Sequence, residues 1–142
     1  MDKQNCILLV DNGSYRAASV LSLRRIAKDL SNLSGFKVHP VSLLHSAKID
    51  PDQLGGIPAD TVEPFLKEML DAGTSSFLVV PLFFGRSAAI YEYLPQRIEE
   101  LKNEFTNLKV RISEPLVNMA DSSNDDVAKI LADLVRLKIS EK

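Results

Sequence analysis

Cys6-Ile7-Leu8-Leu9-Val10-Asp11-Asn12-Gly13-Ser14-Tyr15-Arg16 decides the fold. Its first five residues form an unbroken apolar run of strand length. A run without polar alternation is what a strand covered on both faces carries. The polar, glycine-containing turn that follows leads into a helical pattern over residues 16–33. Val20, Leu23, Ala27 and Leu30 recur there at the spacing of one helix face, with Ile26 and Leu33 beside them. Gly35 then supplies a stop.

The alternation continues outward. Val38 to Leu44 reads as a second strand, and Pro40 within it belongs on a sheet edge. Asp60-Thr61-Val62-Glu63 has the form of a capping box, Pro64 suits a first turn, and Phe65, Leu66, Met69 and Leu70 share one face. Phe77 to Phe84 is a second apolar strand. Pro95 is expected to open a helix with Ile98, Leu101 and Phe105 inward. Lys109-Val110-Arg111-Ile112-Ser113 alternates as an edge strand does. Ser122 or Ser123 is expected to cap a last helix, with Val127, Ile130, Leu131, Leu134 and Leu137 as its buried stripe. The βαβαβαβα pattern predicts a three-layer α/β sandwich, one domain over residues 1–142, with a four-stranded parallel sheet and right-handed crossovers. The two apolar strands should be central and the two polar ones edges, giving the order 2-1-3-4. The chain reverses direction between strands one and three, and open sheets of this kind bind ligands at such a switch point.

A length of 142 residues suits one domain that needs no disulfide or structural metal. The formal net charge of −2 provides no basic excess to neutralise nucleic-acid phosphates. Cys6 is the sole cysteine and reads as a small core residue, so neither an internal disulfide nor a Cys-rich metal site is expected. The first apolar run is too short to span a bilayer and no cleavage site follows it. The expected location is therefore cytoplasmic, with no membrane partner.

Two loops meet at the switch point. In Asp11-Asn12-Gly13-Ser14-Tyr15-Arg16, the glycine allows close backbone approach and the following helix start can hold an anion. In Phe84-Gly85-Arg86-Ser87-Ala88-Ala89, a glycine, a cation and a hydroxyl recur. Arg16 and Arg86 suit a carboxylate- or phosphate-bearing ligand. The plainer alternative is that Asp11, Asn12 and Ser14 only make a turn and cap a helix, and that both arginines are solvated. Residues 42–58 form a long aperiodic loop whose leucines and isoleucine should pack. It leaves strand two beside strand one, so His45 is expected to face the same crevice; His39, on an edge strand, receives no role.

With these loops the chain resembles the short sirohydrochlorin and cobalt chelatases of siroheme and cobalamin synthesis. Leu8-Leu9-Val10-Asp11-Asn12-Gly13-Ser14 stands where that family has an apolar strand ending Gly-His-Gly-Ser. Pro81-Leu82-Phe83-Phe84-Gly85-Arg86-Ser87-Ala88-Ala89-Ile90-Tyr91-Glu92-Tyr93-Leu94-Pro95 stands where it has a loop, a histidine and an acidic residue before isoleucine-proline. The family's two metal-binding histidines are replaced by Asn12 and Ala89. Asparagine is a weak ligand for a transition metal and alanine is none. Tyr93 takes the acidic position, with Glu92 adjacent.

Three readings follow from the resemblance. The first is a chelatase with a rebuilt site, which puts cobalt or iron into a tetrapyrrole. There His45 serves as base or metal ligand and Glu92 as its carboxylate partner. Asn12, Gly13, Ser14, Arg16, Gly85, Arg86 and Ser87 contact the substrate. The divalent metal is a substrate, and no organic cofactor is expected. The second reading is a non-catalytic tetrapyrrole- or metal-binding protein. The third keeps only the fold, with another anionic small molecule as ligand. A tetrapyrrole is large for the crevice of one small domain, and Phe83, Phe84, Tyr91 and Tyr93 form an aromatic cluster near it. A homodimer is expected on that ground.

Overall fold

In the computed structural model, which describes residues 6–117 and 124–141, β1 (Cys6–Asp11) lies between β2 (Val38–Ser42) and β3 (Ser76–Pro81). A fourth strand, β4 (Lys109–Ile112), pairs with the far side of β3. All pairings are parallel and the order is β2-β1-β3-β4. Polarity explains this order. Leu8, Leu9 and Val10 are buried because helices cover both faces of β1. Pro40 sits on edge strand β2 opposite Leu9, where its missing N–H can face away from the ladder. Lys109 and Arg111 stay exposed on the other edge.

Leu8, Val10, Val41, Phe77 and Val79 form one sheet face and pack against α2 (Val62–Asp71) and α3 (Leu94–Lys102) through Phe65, Leu66, Leu94, Ile98 and Leu101. On the opposite face, Leu9 and Val38 meet Leu23 and Ala27 of α1 (Ala17–Ser34), with Val80 and Leu82 only partly covered. The loop after β2 does pack. It makes two 3₁₀ turns, Ser46–Lys48 and Pro51–Leu54, and buries Ile49 and Leu54 against Val20. Arg24 fixes its far end by donating to the carbonyls of Leu54 at 2.8 Å and Ile57 at 2.7 Å.

Three local expectations are corrected. Thr61 is the N-cap residue of α2, but its side chain makes no capping bond. Glu63 pairs instead with the Arg97 guanidinium, a charge-assisted two-point contact stronger than a neutral cap. The helix containing Pro95 begins earlier than the proline implied, with a π-helical turn, Ala89–Tyr93, running directly into α3. A proline ring crowds the carbonyl four residues back in a regular α-helix, and a wider turn before it relieves that contact. The third correction concerns α4 (Asn124–Ile139). Ile130, Leu131, Leu134 and Leu137 are exposed, and of the expected stripe only Val127 is half-buried. Periodicity reports that a helix has an apolar side; it does not report which surface covers it. The expected caps Ser122 and Ser123 lie outside the described residues. No helix among the described residues is long and apolar enough to cross a membrane.

Leu66 is completely buried between α2 and the sheet. Leu66→Ala is expected to lower unfolding stability by about 2–5 kcal/mol in urea titrations, whereas Leu33→Ala, at the exposed end of α1, should change it by less than about 0.5 kcal/mol.

Candidate functional site

The first and second loops are held together backbone to backbone. Leu43 N–H donates to the Asp11 carbonyl at 2.8 Å and Leu44 N–H to the Asn12 carbonyl at 3.2 Å, so the β1–β2 pairing extends past both strands. Gly13 completes the contact. Its φ is +96°, and a Cβ built on it would lie 1.6 Å from the Leu44 carbonyl oxygen. Ser14 N–H donates to the buried Ser46 hydroxyl at 3.1 Å, and that hydroxyl donates to Ser42 Oγ at 3.0 Å. Ser14 Oγ accepts from Arg16 N–H at 3.0 Å, so the turn-forming role weighed for this loop is realised as well.

This clasp delivers His45 to Tyr15. Ser46 N–H donates back to the Leu44 carbonyl at 2.9 Å, closing a three-residue γ-turn with His45 at its centre, φ 75° and ψ −39°. Such a turn is rare and strained for a residue with a side chain, and His45 is the one non-glycine with positive φ among the described residues. Tyr15 Oη lies 3.1 Å from His45 Nδ1, and the two rings meet at 5.2 Å between centroids, tilted by 43°. Lys48 Nζ stands 6.0 Å from the Tyr15 ring centroid. His45 and Lys48 line a cavity of about 410 Å³ between the second loop and the starts of α2 and α3, with Leu44, Tyr93, Glu63 and Arg97 around it.

Arg97 and Glu63 form the polar wall. The Arg97 guanidinium donates to both carboxylate oxygens of Glu63 and, at 2.6 Å, to Glu100. The hydrogen bond from Arg97 holds the Glu63 carboxyl below its usual range, and the charges of Arg97 and Lys67 add to this against a smaller effect of burial. The same bond pushes the Arg97 guanidinium up. On the far side of α2, His39 rests against Phe65 at 5.3 Å, and burial lowers its imidazole below the ordinary histidine value. That is a packing position.

The third loop is organised differently. Arg86 makes an exposed ion pair with Glu114 at 3.1 Å and lies 3.9 Å over the Tyr91 ring. Tyr91 Oη donates to the Ser113 carbonyl. Ser87 starts the π-helical turn, its hydroxyl accepting from Ala89 N–H at 3.1 Å. Gly85 has an ordinary φ and open space where a Cβ would go, so close approach is not its reason for being glycine. Asn12 and Arg16 are exposed beside the first loop. Glu92 is exposed on the π turn and does not line the cavity; its neighbour Tyr93 does. The structure thus joins His45 to the first loop through Tyr15, and it does not bring Glu92 or Arg86 to the His45 cavity. Among the described residues no three His, Cys, Asp or Glu side chains gather as a metal-binding cluster. Asp11 Oδ1, at the end of β1, is buried and has no hydrogen-bond partner among the described residues.

Sequence reasoning passed over Tyr15, Lys48, Glu63 and Arg97 as site residues, whereas Tyr93, named there in the aromatic cluster near the crevice, does line the cavity. Tyr15 was within reach, since it directly follows Ser14 in a loop already singled out. Glu63 and Arg97 are 34 residues apart and carry no local signal of their pairing.

A family model described as CbiX matches residues 6–136 of the chain. Among solved structures, one described as a cobalamin (vitamin B12) biosynthesis CbiX protein from Marinobacter aquaeolei VT8 superposes with a TM-score of 0.66 at 17% identity, covering 98% of this chain and 100% of that one. At that identity the likeness is one of fold. No curated protein matches the chain.

Two tests address the clasp and the wall. Gly13→Ala must move the Leu44 carbonyl and is expected to cost at least about 2 kcal/mol in urea unfolding and to remove the Tyr15–His45 ring contact from NOE spectra. Gly85→Ala is the control and should be near neutral. Glu63 has a folded pKa below its ordinary value of 4.5, so its contribution to stability is fully present above that value and is lost as pH falls through the folded pKa. The stability gap between the parent and Glu63→Gln should therefore be largest near neutral pH and shrink in acid, as followed by urea unfolding at a series of pH values.

Proposed function

The chain belongs to the CbiX family, whose model spans most of its length. On that premise we propose that it binds an acidic, sirohydrochlorin-type tetrapyrrole and inserts a divalent metal, cobalt or iron, in cobalamin or siroheme biosynthesis, with His45 as the working residue of an altered site. The observation that carries this reading is His45 itself, held in a strained turn by Tyr15 at the rim of the His45–Lys48 cavity.

Insertion of a divalent ion replaces two pyrrole N–H protons, so the reaction needs somewhere for them to go. Imidazole has a suitable pKa to accept one, and the second can leave to water. When His45 Nδ1–H donates to the Tyr15 oxygen, Nε2 carries the free lone pair, and one ring geometry serves both proton acceptance and a single contact to the incoming metal. Lys48 supplies positive charge beside the cavity for the macrocycle's carboxylates, and the exposed Arg16 can pair with others. Arg86 is available only by leaving Glu114, a small cost for an exposed ion pair. Gly13 and Ser14 act by holding the loop that carries Tyr15, and Glu92, exposed on the π turn outside the cavity, has at most a secondary part.

A second reading is tetrapyrrole or metal binding without catalysis, and one observation favours its tetrapyrrole form: no metal-binding cluster exists among the described residues. The two are separated by mixing the protein with sirohydrochlorin and then adding cobalt, iron or nickel, following the absorption spectrum. The parent is expected to metallate faster than the uncatalysed reaction. His45→Ala should lose roughly 100-fold or more of that acceleration with its fold intact, Tyr15→Phe roughly tenfold, and Glu92→Gln less. Equal rates for the parent and His45→Ala would sink the proposed role of His45. A spectral shift before metal is added, without acceleration afterwards, would establish the binding reading.

A further inference from the structure

We infer that the cavity behind His45 is a one-ring pocket: it takes a single pyrrole edge of the macrocycle, with its carboxylate side chains, and leaves the other rings outside. The inference rests on the tetrapyrrole reading for the identity of the ring; the size and chemistry of the pocket stand apart from it. At about 410 Å³ the cavity lies near the lower end of the range, about 300–1,000 Å³, that encloses a drug-sized molecule. One five-membered ring with two short acidic chains fits in that space. A macrocycle of four such rings, each with its chains, does not.

The walls suit a flat ring that carries negative charge. Leu44 and Tyr93 line the cavity from the second loop and the π turn, and they stay 38% and 39% exposed although both are large and hydrophobic. Side chains of this kind cover the faces of an aromatic ring. Ala47, on the 3₁₀ turn beside His45, contributes only a methyl group to the lining. The charges divide unequally. Glu63 and Arg97 are bound to each other through two hydrogen bonds, so neither is free for a ligand. Lys48 makes no ion pair among the described residues, and its contact is the Tyr15 ring at 6.0 Å. It is the cation available to a carboxylate inside the cavity. Thr61, the N-cap residue of α2, also lines the cavity and makes no capping bond, so the positive end of that helix adds to the same wall. Entry by one edge keeps the central nitrogens outside, on the side where His45 stands.

The probe is porphobilinogen, a free monopyrrole with one acetate and one propionate chain, titrated into the full chain and followed by amide NMR shifts. It is expected to shift the signals of Leu44, Lys48 and Val62, and sirohydrochlorin should compete with it. Lys48→Ala should weaken both ligands by the same factor, roughly tenfold, the loss of one charge-assisted hydrogen bond. Ala47→Trp fills the cavity from an exposed turn. It should abolish porphobilinogen binding and weaken sirohydrochlorin at least roughly tenfold, with far-ultraviolet circular dichroism unchanged. Three results would overturn the one-ring pocket and leave the tetrapyrrole reading standing: sirohydrochlorin binding the parent while porphobilinogen does not, sirohydrochlorin binding Ala47→Trp as tightly as the parent, or Lys48→Ala weakening only one of the two ligands. The Lys48 result decides even if Ala47→Trp disturbs its turn. Porphobilinogen bound at the cavity, with sirohydrochlorin neither bound nor competing, would keep the pocket as a monopyrrole site and sink the tetrapyrrole reading instead. Binding of neither sinks both.

Discussion

Residue 13 has to be glycine because the backbone of the second loop occupies the space a side chain would fill. The Leu44 carbonyl lies where a Cβ would stand, and the positive φ excludes most other residues in any case. Everything particular to this site depends on that approach. It lets Leu43 and Leu44 continue the β1–β2 ladder beyond the strands, seats Ser14 on Ser46, and sets Tyr15 against His45. The strained γ-turn at His45 is sustained by the same contacts. A conformation of this kind costs about 1–3 kcal/mol and persists only where its surroundings over-determine it.

The sheet was legible because its signals are local and cumulative. Each strand declared through its own residues whether it would be covered on two faces or one, and the proline in β2 and charges in β4 separated edges from centre. The site was legible only as a neighbourhood. The loops at the switch point could be named, and His45 could be placed among them, because topology alone brings those segments together. The partnership of His45 with Tyr15 rather than Glu92 depends on backbone bonds between residues about 30 positions apart, which leave no periodic trace. The capping-box reading failed for a related reason. Glu63 had two possible partners, the start of its own helix and a guanidinium from α3, and a fully charged two-point contact is the stronger. The stripe of α4 was read correctly as apolar and wrongly as buried, since amphipathic spacing is the same whether the covering surface belongs to the chain or to a neighbour.

Asn12 and Ala89 stand where the resemblance to the short chelatases would put two histidines, and the backbone of each is held, the Asn12 carbonyl accepting from Leu44 N–H and Ala89 N–H donating to Ser87 Oγ. Gly13 and Ser14 hold the first loop to the second, and Ala89 enters a helical turn that Ser87 initiates. His45, whose imidazole meets Tyr15 of the first loop, comes from the β2 side of the crevice.

Pro40 and the Lys109–Arg111 pair, described above as markers of strand order, also govern how the molecule can meet its neighbours. A bare strand edge is an invitation to further strands, and unchecked it leads to open-ended stacking. Here one border carries a residue with no hydrogen to offer, and the other carries two cations that would have to be stripped of water against an incoming chain. Among the described residues the sheet has four strands. Association that respects both borders must run through side chains on the helical layers, where it can close on itself and stop.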